Sequence, residues 1–208
     1  MRQIIFGTAI CLLAVVLALA GARPAAAATT RTGETVLVRG GETVNGDLYA
    51  FGQTVRIAGI VNGDLIVAAQ DVVITGTING SINGAASTIT VSGTVQNAVR
   101  AATAKLIVSG TVGGDIASAS GKTTVTRGAK VGGDVLLRSG DAAFRGNVGG
   151  DIRGSASTLS IDATVGGSVL VAADKITLTR NGTIAGDLKY ASNNEATVFN
   201  DQAVAGQI

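Results

Sequence analysis

Apolar residues recur along this chain at two spacings, one short and one long. Around Gly46 in VNGDL, Val44 stands two residues before and Leu48 two after. The same arrangement returns around Gly63, Gly80, Asn97, Gly114, Gly133, Gly150, Gly167, Gly186 and Gly206. Every flanking position, through to Val204 and Ile208, is Val, Ile or Leu. A further apolar residue lies six before the marker (Ile57, Ile74, Val91, Val108, Phe144, Ile161), or eight before it where the step is longer (Val125, Leu178, Val198). A spacing of two with β-branched residues is the strand period. Nothing in this region follows the helical period.

The long spacing is 17 residues, stretched to 19 at Gly133 and Gly186 and to 20 at Gly206. Self-similarity at such a period marks a solenoid. A coil of this length divides into three short strands joined by corners, and stacked coils lie about 4.7–4.9 Å apart. The expected fold is therefore all-β: a right-handed parallel β-helix (solenoid) of about ten coils. The hand follows from the preference for right-handed crossovers between parallel strands. The recurrent Gly-Asp is expected at a corner, with glycine allowing backbone angles closed to other residues and Asp bonding neighbouring amides as in an Asx turn.

The first residues break this pattern. Arg2 precedes an apolar run, Ile4 to Ala20, and Ala25 to Ala28 offer an A-x-A cleavage site, the layout of an export signal. The expected division is a signal peptide over 1–28, a short polar leader over 29–35 and the β-helix over 36–208. An uncleaved anchor helix is the competing possibility, since the run reaches the short end of a bilayer span. Export places the protein in the periplasm, on the cell surface or at a membrane. The single cysteine, Cys11, lies inside the apolar run, so the mature chain carries no thiol.

Charge and composition remove several function classes. The chain has 16 Lys and Arg against 14 Asp and Glu, and 3% aromatic residues. That combination gives neither the basic surface nor the stacking platforms that nucleic acid requires. The absence of histidine excludes the acyltransfer chemistry of left-handed hexapeptide solenoids. Asp47, Asp64, Asp115, Asp134, Asp151 and Asp187 align along one corner, yet they lack the paired acid motifs of calcium-binding rolls. The GTVGGD segments lead into no helix that could cradle a phosphate. Asp151 with Arg153, or Asp187 with Lys189, could imitate the carboxylate sites of glycan-cleaving β-helices. No long loop between coils builds a cleft around them. No catalytic, cofactor-binding or metal-binding residue is assigned, and no enzyme activity is expected.

The repeated V-x-G-D-[Leu/Val/Ile] units, in VNGDLIVAA, TVGGDI, KVGGDVLL and IAGDLKYAS, resemble the bactofilin, or polymer-forming cytoskeletal, protein family across Val36 to Ile208. That resemblance implies a right-handed β-helix that self-assembles end to end, without nucleotide, into nonpolar filaments or sheets on bacterial membranes. Its partner would be another copy of itself, with membrane or cell-wall components beside it. The export signal departs from familiar cytoplasmic bactofilins. Leu188 to Val198 resembles exported relatives in which transmembrane helices follow. Open strand edges at the two ends make Val36, Val38, Val198, Val204 and Ile208 the candidate assembly interface, with Arg at Val38 or Val204 expected to block one end. The alternative function is an extracytoplasmic glycan-binding or glycan-degrading β-helix.

Overall fold

A computed structural model describes residues 28–200 and 202–208. The signal peptide expected over 1–28 falls almost wholly outside the described residues. What is described is a parallel β-solenoid of about ten turns.

Each of the first nine coils is a ten-residue strand followed by a two-residue strand, and in the tenth the long strand is split into Leu188–Ala191 and Thr197–Val198. The first coil has β1 (Thr29–Val38) and β2 (Thr43–Val44); the second has β3 (Leu48–Ile57) and β4 (Ile60–Val61). The long strands stack in one eleven-stranded sheet and the short ones in a nine-stranded sheet. In β3 the buried residues are Leu48 and Ala50, then Val55 and Ile57, so the inward parity switches midway. The switch falls at Gln53, which the ladder skips. Gly52 pairs with Gly33 and Ala69, and Thr54 with Thr35 and Asp71. The ten-residue strand is thus two faces meeting at a corner, and the short strand is the third face.

Stacking places like residues over like. Leu48, Leu65, Ile82, Val99, Ile116, Val135, Ile152, Val169 and Leu188 form a fully buried column. Each such side chain contributes roughly 1.5–3 kcal/mol when removed from water. Two further inward columns compensate one another in volume across the lumen. Gly84 lies in the coil of Ile89, Ala101 in that of Leu106, Leu137 in that of Ala142 and Gly154 in that of Leu159. Close packing penalises both voids and overfilling, and each of these four coils answers with one large and one small residue. Ser118 and Thr123 occupy these two columns in a single coil, and their hydroxyls bond each other at 3.1 Å. This satisfies the polar atoms they bury.

The longer coils keep their strands in register by enlarging one corner. Val108 leads into Thr111 through two residues, whereas Val125 leads into Lys130 through Thr126–Ala129. That turn closes with Ala129 N–H donating to Thr126 O at 3.1 Å, and Gly128 adopts φ 86°. The same turn closes Arg39–Glu42, with Gly41 at φ 84°, and Thr179–Gly182.

The structure differs from the sequence-based division at the first coil. Residues 29–35, expected as a polar leader, open β1 and pair with Leu48–Gly52 and with Thr54. Among the described residues this face of the first coil meets another coil on one side only, and its side chains are polar or small. Backbone pairing does not depend on the side chains, so polarity conceals the strand.

Candidate functional site

The Gly-Asp column runs along the solenoid axis, and its chemistry joins one coil to the next. Asp47 Oδ1 accepts the backbone N–H of Asp64 at 2.8 Å, and Asp64 Oδ1 accepts that of Ser81 at 2.7 Å. Asp115 does the same for Asp134, Asp134 for Asp151, Asp151 for Ser168 and Asp187 for Gln207, all within 2.6–3.0 Å. Ser168 Oγ takes the same place for Asp187 at 3.1 Å. These carboxylates therefore tie coil to coil. They do not form the local Asx turns expected from the sequence.

Glycine in this column also acts differently from expectation. Among the marker glycines only Gly46, at φ 88°, needs the left-handed backbone. At Gly63, Gly80, Gly133, Gly150, Gly167 and Gly206 an added Cβ would come inside 3.0 Å of the Asp Oδ1 in the preceding coil. Each carboxylate thus fills the space left by a missing Cβ one coil onward. Asn97, the marker that carries a side chain, follows the coil where Ser81 replaces Asp.

Ionic pairs decorate this corner without converging on a reaction centre. Arg153 bonds Asp151 and approaches Asp134 at 3.9 Å, and Lys189 meets Asp187 at 2.7 Å. The Lys189 ammonium, with the Gln207 amide, holds the Asp187 carboxyl below its usual range. Asp162, at the corner between the second and third faces, is lowered chiefly by the Thr179 hydroxyl at 2.5 Å, then by the Asn181 amide at 3.0 Å. Asn45, Asn62 and Asn79 form an amide ladder at 2.8–2.9 Å. Among the described residues no group of three His, Cys, Asp or Glu side chains could hold a metal ion.

The five candidate assembly residues separate into two groups, one at each end. Val36 and Val38 lie in β1, stacked on Val55 and Ile57. Val198 stacks on Leu178, Val204 bridges Ile184, and Ile208 is 66% exposed. One expectation needs correction. Val38 is 0% exposed and faces the lumen, so its backbone belongs to the edge while its side chain does not. Arginine there would bury an unpaired charge and disrupt the coil it was meant to cap.

What covers the lumen lies outside the repeat pattern. Arg31 stands in the column that holds Ala50, Val67, Gly84 and Ala101 in later coils. Its guanidinium crosses the end of the first coil, donating to Leu37 O at 2.8 Å and to Glu42 Oε1 at 2.5 Å. Glu42 Oε2 accepts the Arg39 N–H at 2.9 Å. The Arg31 hydrogen bond, followed by the Arg39 amide, lowers the Glu42 carboxyl. This bridge explains why Val36, Val38 and Val44 remain buried in a terminal coil. Tyr190 occupies the same column in the last coil, where its hydroxyl accepts the Ala196 N–H at 3.3 Å. The detectable signal was a large residue at each end of a column of mostly small ones. No protein-family model, curated protein or solved structure matches the chain.

Proposed function

We propose that this protein is a non-catalytic structural element that self-assembles end to end into polymers and scaffolds the bacterial cell envelope. The observation that carries this reading is the outer edge of β1. Thr29 N–H donates to Asp47 O and Val38 O accepts from Ala58, both toward the second coil. Backbone groups alternate along a strand, so those of Thr30, Thr32 and Leu37 face the other way. Among the described residues only the Leu37 carbonyl on that side finds a partner, the Arg31 guanidinium. A row of unpaired strand groups is a template for another chain. The uniform coils and the absence of a convergent polar cleft among the described residues favour a scaffold over an enzyme.

Thr32→Pro tests the edge directly. It removes one outward N–H while leaving the ladder to β3 intact. Negative-stain microscopy and sedimentation should show filaments or sheets for the parent and short oligomers for the variant, with unchanged circular dichroism. Discrete parent monomers at high concentration, or a variant that polymerises like the parent, would overturn the proposal.

A further inference from the structure

The first coil carries an ion pair at positions where later coils carry no charge. Arg31 heads the column continued by Ala50, Val67, Gly84 and Ala101, and the place of Glu42, just before the short strand, is glycine or alanine from Gly59 through Gly182. The backbone shows what the pair is there to meet. Ala58 N–H donates back to Val38 O at 2.8 Å, Thr75 N–H to Ile57 O at 2.9 Å and Ser92 N–H to Ile74 O at 2.8 Å. Arg39, one residue past β1, is the counterpart of Ala58, so its N–H points out of the stack, toward the place a preceding coil would take. The Leu37 carbonyl points the same way. In a parallel ladder such a carbonyl and the N–H two residues on together clasp one residue of the neighbouring strand. Here the ion pair takes that role: Arg31 donates to Leu37 O at 2.8 Å, Glu42 Oε2 accepts the Arg39 N–H at 2.9 Å, and Arg31 and Glu42 bond each other.

We infer that the Arg31–Glu42 pair is a latch that restrains assembly: it stands in for a neighbouring strand on the half of the β1 edge that ends at Val38, and a second copy must displace it to pair along the whole strand. The latch presupposes the end-to-end assembly proposed above and controls how readily it starts. Thr30 and Thr32 stay open, so first contact falls on their half of the edge. The two side chains are 30% and 32% exposed, so water and salt reach the pair and it can open without unfolding a coil. A purely structural lid is the weaker reading. A long apolar side chain in place of Arg31 would close the lumen equally well, and closing it requires no acceptor for the Arg39 N–H. The bonds instead fall on the two backbone groups that an incoming strand needs, whichever direction it runs. Charged side chains turned inward at a sheet edge are a recognised protection against such pairing.

Sedimentation of the full chain over a concentration series tests the latch. Arg31→Ala and Glu42→Ala change the net charge in opposite directions, yet both should lower the critical concentration for polymers about tenfold, the size of one part-exposed pair and its backbone bonds. The gap should close toward about 1 M salt, where the screening length falls to about 3 Å and the parent's pair opens unaided. Adding Thr32→Pro to either variant should remove the gain, because the released edge and not the uncovered lumen carries it. Arg127→Ala, which breaks the ion pair with Asp162 at another corner, should leave the critical concentration unchanged. Circular dichroism below that concentration checks that each variant is folded, and Glu42→Ala, which leaves Arg31 in place, is the milder of the two. An unchanged or raised critical concentration in folded Glu42→Ala, opposite shifts in the two variants, or a gain that survives Thr32→Pro would overturn the latch. A parent that polymerises with no gain in either variant refutes the latch alone. A parent that stays monomeric while the variants polymerise supports the latch and refutes assembly by the parent, and monomers throughout refute both.

Discussion

Replacing Gly133 with alanine tests the coil-to-coil lock at its cleanest position. A Cβ built on Gly133 stands 2.0 Å from Asp115 Oδ1, while the nearest backbone atom, Gly114 C, is 3.0 Å away. The clash is therefore with one side chain. That oxygen accepts the Asp134 N–H at 2.9 Å, so it cannot move without giving up a hydrogen bond to a charged acceptor. Such a bond is worth roughly 1.5–3 kcal/mol net, and overpacking adds about 1–3 kcal/mol. Gly133→Ala should thus destabilise by about 3 kcal/mol, a melting shift of roughly 6–12 °C for a domain of this size. Conformational entropy alone gives the opposite sign, since alanine at a compatible backbone stabilises by about 0.4–1 kcal/mol. Asp115→Ala should cost roughly 1.5–3 kcal/mol through loss of the same bond. In the double variant the clash with Oδ1 disappears, so its cost should approach that of Asp115→Ala alone. Gly40→Ala, where an added Cβ meets nothing within 4 Å, is the neutral control. Urea unfolding followed by circular dichroism supplies the cycle. A Gly133→Ala protein as stable as the parent, or single-variant costs that simply add, would refute the lock.

Three other outcomes follow from the same geometry. Ile116, fully buried in the central column, should not tolerate Asp: an unpaired buried charge costs several kcal/mol, and a cooperative melt like that of the parent would show the inward register to be wrong. Chelators should leave the melting temperature unchanged and calcium should not raise it beyond an ionic-strength control, because the Asp oxygens serve amides; a calcium-specific gain of several degrees would reassign the column. Asp162 and Asp187 have folded pKa values below their unfolded ones, so their stabilisation is present above about pH 4 and lost as pH falls through the folded values. Melts between pH 7 and 2 should show this acid-side loss, with a shallower slope in Asp162→Asn/Asp187→Asn than in the parent.

The sequence by itself determined the period, the three-faced coil and the identity of the main inward columns. Val, Ile and Leu at fixed offsets from a recurring glycine leave no other arrangement that buries them together. It even located the enlarged corners, since the shift of Val125 and Leu178 from six to eight before the marker is an insertion that preserves strand register. What only the tertiary structure decided concerns contacts between residues a whole coil apart. Whether Asp134 turns toward its own corner or toward the Asp151 amide depends on how one coil sits on the next, and the letters GD are the same in either case. The reason for glycine at Gly133 lies in the preceding coil, so it reads as a turn residue until Asp115 is placed beneath it. Residues 29–35 read as a leader because strand pairing is made by the backbone, which composition does not record. Arg31 is an ordinary charged residue in the sequence; its position at the end of a column of small side chains sends its guanidinium across the lumen, where Leu37 O and Glu42 receive it.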